Sequence, residues 1–204
     1  MSKQRKDSEH KIQLRNLRIA DYSDVKEIME LVYTNAGGSW SKKELSAQIS
    51  KFPEGQICIE DNGKVVAVAL SIIVKYSDFG DSHTYSEITG NGSFDTHNPD
   101  GDTLYGTDVF VHPEYQGMRL GRRLYDARKE LCENLNLRAI IAGGRIPGYI
   151  EYADELSPRQ YIDMVKSREI YDPILTFQIA NDFHVRKIIT NYMPEDEDSK
   201  FFAT

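Results

Sequence analysis

Between Val109 and Leu124 an apolar run, Val109-Phe110-Val111, gives way to His112-Pro113-Glu114-Tyr115-Gln116 and then to Gly117-Met118-Arg119-Leu120-Gly121-Arg122-Arg123-Leu124. The pattern is a strand, a glycine-bearing loop and the first turn of an amphipathic helix. It leaves free backbone N–H groups and the positive end of a helix dipole facing whatever lies there. The chemistry of such a site is anion binding, and a phosphate or pyrophosphate suits it. Glycines at 117 and 121 let the backbone come close to a ligand, and Arg119 and Arg122 add positive charge beside it. Other phosphate loops fit worse. A Walker A loop needs Lys-Ser/Thr where Gly121 is followed by Arg122-Arg123, and a Rossmann fingerprint needs a glycine spacing and a first-strand position that this loop lacks. A glycine loop that merely opens a helix is the plain alternative.

Just upstream, Asp108 stands among apolar neighbours in the strand. A desolvated carboxylate there has its pKa raised and can serve as general base for an amine, directly or through water; a structural aspartate is the competing reading. Glu87, in an irregular stretch, is a weaker candidate. His83, His97 and His112 with Asp95, Asp100 and Asp102 match no zinc spacing, and the 95–102 stretch fails the calcium-loop template, so no metal is expected.

These residues must be positioned by a mixed α/β (α+β) domain with one central sheet and helices on both faces. Ile12, Leu14, Leu17 and Ile19 give an edge strand; Asp21 caps a helix carrying Val25, Ile28, Met29 and Val32; Ser41 and Glu44 form a capping box for a second helix that Pro53 ends. Residues 56–60 and 65–74 flank a turn at Asp61-Asn62-Gly63 and read as a hairpin. The stretch 76–106 is rich in Gly, Asp, Asn, Ser and Thr and reads as a long loop insertion. A strand over 107–111, a helix with a Leu120, Leu124, Ala127, Leu131, Leu135 stripe, a short strand at 139–142, helical segments over 157–167 and 174–180 and a strand over 184–190 follow. Residues 1–10 read as a flexible tail and 11–204 as a single domain.

The 204 residues carry 25 basic and 32 acidic side chains, a net charge of −7, which argues against a nucleic-acid or anionic-membrane surface. The longest apolar stretch, 65–74, is half the ~20 residues of a membrane helix and reads as a buried strand. The polar start lacks the apolar core of a secretory leader. Cys58 and Cys132, both in apolar periodic segments, read as reduced core thiols, and the whole as a cytoplasmic protein.

The approach Val111-His112-Pro113-Glu114-Tyr115, the signature Gln116-Gly117-Met118-Arg119-Leu120-Gly121 and the order of elements over residues 12–192 resemble the GNAT superfamily of acyl-CoA-dependent N-acyltransferases. That resemblance implies acetyl-CoA as cosubstrate, with Phe110 and Val111 pairing with the pantetheine arm and Gln116, Gly117, Met118, Arg119, Leu120, Gly121 and Arg122 holding the pyrophosphate. It implies direct transfer to a primary amine of a small-molecule or peptide acceptor. Arg119 stands where the family usually has glycine. The tyrosine that protonates the thiolate in many members is replaced by Gln178, and the Gly-Phe pair after it by Asp182-Phe183. Tyr149, Tyr152 and Tyr171, near the acceptor end of the sheet, are the substitutes the resemblance offers as acid, and Trp40, beside Gly37-Gly38, either lines the acceptor groove or packs in the core. A non-catalytic CoA-binding domain is the alternative. Segments 126–135, 142–149 and 97–102 are also similar to the acetyltransferase domain found ahead of nitrilase-like carbon–nitrogen hydrolase domains, which makes such a hydrolase a candidate partner, beside a homodimer.

Overall fold

The computed structural model describes residues 9–33 and 39–204. Five strands, β1 (Ile12–Asn16), β2 (Ile57–Asp61), β3 (Lys64–Val74), β4 (Thr103–Val111) and β5 (Ala139–Ala142), form one sheet in chain order. The first four are antiparallel, and β5 runs parallel to β4. Helices α1 (Tyr22–Val32) and α2 (Lys42–Lys51) cover one face and α4 (Leu120–Asn134) the other; the shorter α3 (Tyr85–Thr89), α5 (Pro158–Lys166) and α6 (Leu175–Ile179) complete the set.

The continuous apolar run of β3 is what a strand buried on both faces requires. Val68, Leu70, Ile72 and Val74 meet Val25, Ile28, Met29 and Leu45 on one side. Ala67 and Ala69, with Ile57 and Ile59, meet Leu120 and Leu124 on the other. The β2–β3 turn places Asn62 and Gly63 at φ 51° and 85°, the two left-handed positions of a type I′ hairpin. The capping box between Ser41 and Glu44 forms as the sequence predicts, and both cysteines are free and buried.

Two expectations need correction. The stretch 76–106 is not an irregular excursion: α3 carries a capping box between Thr84 and Glu87, Ile88 and Phe94 are buried in the main core, and residues 103–106 extend β4. Its low apolar content concealed these few anchors. No strand forms over 184–190; only Ile189 bridges, to Ala203, because Val185 and Ile188 turn instead toward a separate cluster around Tyr149, Tyr161 and Leu175. In the C-terminal segment Asp196 is buried and takes two hydrogen bonds from the Arg145 guanidinium. Of the expected N-terminal tail, residues 1–8 lie outside the described residues, whereas the His10 ring is hydrogen-bonded to Asp61 at 2.6 Å. Gly37 and Gly38 also lie outside them.

Candidate active site

Strands β4 and β5 pair only from Thr103 opposite Ala139 to Gly106 opposite Ala142. Beyond Gly106 the β4 residues keep β3 as neighbour but have lost β5, so residues 107–111 present a free backbone edge. Immediately past β5, Gly143 and Gly144 leave space that the Tyr192 ring and the Gln178 amide fill. The opening between the strands is therefore bounded by β4 on one side and by glycine backbone on the other.

Asp108 sits at the mouth of this opening. A register shift pairs Leu70 with Asp108 and Ser71 with Gly106, making Thr107 the extra residue of a β-bulge. Tyr85 donates a hydrogen bond to Oδ2 of Asp108 at 2.9 Å, and Tyr33 donates to Oδ1 at 3.3 Å. Burial pushes the Asp108 carboxyl above the ordinary carboxylate range, and the tyrosine hydroxyls and the nearby Arg128 charge only partly offset it. The same burial and the Asp108 charge raise Tyr33 and Tyr85 well above a free phenol, so both act as hydrogen-bond donors at neutral pH. Behind Tyr85 runs a second polar chain: His83 Nδ1 bonds the Gly80 carbonyl at 2.7 Å and must carry its proton, so Nε2 accepts from Tyr105, whose oxygen lies 2.8 Å from that of Tyr192. His97 Nδ1 accepts from the Ile73 amide while its ring stacks on Phe52.

The loop ahead of α4 begins with a single 3-10 turn, Pro113–Tyr115. Gly117 has φ 83°, and a Cβ there would meet nothing within 4 Å. Arg119 has φ 59°, in the left-handed region, as the residue that opens α4. Gln116, Gly117, Met118, Arg119 and Arg122 are exposed, whereas the Leu120 side chain is buried in the core. Gly121 differs from the sequence expectation in its reason. A Cβ there would fall 2.9 Å from Cζ of Phe177, so this glycine makes room for α6 as well as opening the helix.

Residues 23–147 match the Acetyltransferase (GNAT) family. The chain belongs to the GNAT acetyltransferase family. Two relatives from Bacillus subtilis (strain 168) accord with that. The probable hydrolase YhcX is 40% identical over 198 residues, covering 96% of this chain and 38% of YhcX. The uncharacterized N-acetyltransferase YkwB is 35% identical over 160 residues, covering 78% of this chain and 70% of YkwB. The chain thus spans well under half the length of YhcX. The loading GNATL domain of CurA from Lyngbya majuscula shares the fold, with a TM-score of 0.81 at 22% identity over 94% of each chain.

Within this GNAT domain the structure gathers Asp108, Phe110 and Val111 on the free β4 edge, but it does not bring the predicted tyrosines to them. Tyr149 is buried among Tyr161, Phe202 and Leu175 and gives its hydroxyl to the Leu156 carbonyl at 2.8 Å. Tyr171 is 73% exposed on the segment between α5 and α6. Tyr152 packs on Tyr161 in the same cluster as Tyr149. Gln178 lies against Gly144, and Trp40 packs toward Phe110 with ring centroids 6.1 Å apart. The phenols at the site, Tyr33 and Tyr85, were missed because one ends α1 and the other lies in the stretch read as loop. A recognisable signal existed only for Arg128, a cation four residues from both Leu124 and Cys132 on the buried side of α4.

Proposed function

We propose that this GNAT domain transfers an acyl group, acetyl being the default, from acyl-CoA to a primary amine by direct attack. The observation that carries the reading is a carboxyl, Asp108, held by two tyrosine hydroxyls where the β4 edge becomes free. The residues present fit the cosubstrate: an exposed loop with an open cradle at Gly117, arginines at 119 and 122, and an unpaired strand edge at Phe110 and Val111. Gln116 to Arg122 would hold the pyrophosphate and residues 110–111 the pantetheine arm. Bound acyl-CoA supplies the acyl group and a thiolate as leaving group.

Asp108 accepts the proton that an incoming ammonium must lose before its nitrogen can attack. Its raised pKa lies nearer to working pH than that of an exposed carboxylate, which improves it as a base. Backbone N–H groups on the free edge of β4 face negative charge developing on the acyl oxygen. Tyr85 and Tyr33 orient Asp108 and are the nearest phenolic donors, taking the place of Tyr149 and Tyr171. A nitrilase-like hydrolase remains the proposed partner, on the strength of the likeness to YhcX. Titration calorimetry with acetyl-CoA tests the reading: saturable binding below millimolar concentration supports it, and its absence removes the cosubstrate and with it the reaction.

A further inference from the structure

Arg128 is 3% exposed in the middle of α4, on the side of the helix that packs against the sheet. Its neighbours one turn away, Leu124 and Cys132, are what packing alone would place there. Among the described residues its guanidinium forms no ion pair, so its charge is buried at the cost that an unpaired cation carries. What it does instead is specific. Nη2 donates to the carbonyls of both Leu70 and Asp108, the two residues that face each other across the bulge. Nε donates to Ser71 Oγ at 3.0 Å, and Thr107, the extra residue, gives its hydroxyl to the same Leu70 carbonyl at 3.1 Å. Gly106 leaves room for the guanidinium, since a Cβ there would lie 3.0 Å from Nη1. The Tyr125 ring lies 5.8 Å below the cation.

We infer that Arg128 is a positioning residue for Asp108: its guanidinium fills the β4 bulge, fixes the main chain from which the carboxyl projects, and keeps a permanent positive charge behind that carboxyl. A bulge interrupts the ladder and leaves carbonyl groups without a strand partner. The planar fork of an arginine satisfies several of them at once, which a lysine cannot. Placing that fork in a bulge beside the Asp108 carboxyl couples strand geometry to ionisation. The other groups facing Asp108 are Tyr33 from the end of α1, Tyr85 from α3 and Tyr192 from the C-terminal segment, with Arg145 next to Tyr33. Arg128 is thus the positive charge that reaches Asp108 from α4. The catalytic meaning of this arrangement rests on the proposed role of Asp108 as base, but the coupling itself does not.

The test uses the whole chain labelled with 13C-aspartate, with the Asp108 resonance assigned by its loss in Asp108→Asn. In Arg128→Met the Asp108 titration midpoint moves upward by about one pH unit or more, because an opposite charge has been removed. In Arg128→Lys the charge stays and the midpoint holds, while amide hydrogen exchange at Thr107, Asp108 and Val109 accelerates about tenfold or more, because the fork is gone. A midpoint in Arg128→Met equal to that of the unmodified protein would overturn the inference, as would unchanged exchange in Arg128→Lys. Should Arg128→Met fail to fold, Arg128→Lys alone decides. No acceptor amine enters either readout, so a protein that meets both expectations yet acetylates nothing keeps the positioning role and loses only the catalytic one.

Discussion

The two glycines of the loop before α4 should respond oppositely to substitution. At Gly121 a Cβ would stand 2.9 Å from Cζ and 3.3 Å from Cε2 of Phe177. Phe177 has little room to yield, because its ring meets Tyr125 edge-on at a centroid distance of 5.1 Å. Gly121→Val therefore overpacks the α4–α6 contact at a cost of about 2 kcal/mol, only slightly offset by better helix propensity. For a domain of this size that is a fall in Tm of roughly 4–8 °C. The added methyls point at Phe177, so affinity for acetyl-CoA changes less than about threefold, under 1 kcal/mol. Gly117 has the opposite setting: open space around it but φ 83°. Gly117→Ala costs about 1 kcal/mol of backbone strain and lowers Tm by only about 2–4 °C. Because the loop that cradles the pyrophosphate must relax away from that conformation, affinity falls about tenfold or more. Thermal melts and titration calorimetry on the two variants decide the matter. A Gly121→Val protein with unchanged Tm and tenfold weaker binding would refute the packing argument.

Three further perturbations follow from the same geometry. The raised Asp108 pKa means that the folded protein holds this proton more tightly than the unfolded chain, so the group's stabilising contribution is full at acid pH and falls as pH rises from the unfolded value, about 3.9, to the folded one. Asp108→Asn should thus melt above the unmodified protein at pH 7.5 with a gap that closes toward pH 4; a gap independent of pH would contradict the assignment. Tyr85→Phe removes a donor to the ionised carboxyl and should move the acid limb of the kcat/KM profile to higher pH, whereas a merely packed tyrosine would leave that limb in place. Asp196→Asn leaves the Arg145 guanidinium, 19% exposed, with no carboxylate, and should cost about 2 kcal/mol, with faster amide exchange at Ala203 and Thr204 as the C-terminal segment loosens from Gly144; unchanged exchange there would separate the ion pair from the docking of the tail.

The sheet, its two-sided burial and the loop before α4 were legible because they rest on local signals: the unbroken apolar run of β3, the Asn62-Gly63 turn, the Ser41 to Glu44 box and the glycines at 117 and 121. Asp108 could be singled out by its apolar neighbours, but its partners could not. Tyr33 and Tyr85 reach it from segments 75 and 23 residues away in the chain, and only the tertiary fold brings their hydroxyls to one carboxyl. Tyr149 and Tyr171 lie away from Asp108 for the same reason. The family resemblance points to them near the acceptor end of the sheet, whereas the fold buries one in a separate cluster and turns the other to solvent. The strand expected over 184–190 is absent because its apolar residues serve two different clusters.

Acyl transfer at Asp108 is read most directly from product formation. Unmodified protein and Asp108→Asn are incubated with acetyl-CoA and a panel of primary amines, polyamines and peptides, and N-acetylated product is followed by mass spectrometry. At least one amine should be acetylated, at a rate that falls on the acid side of the pH profile and drops about a hundredfold or more in Asp108→Asn, the usual worth of a general base. Acetylation that proceeds equally in Asp108→Asn, or acetyl-CoA binding with no amine in the panel acetylated, would contradict it.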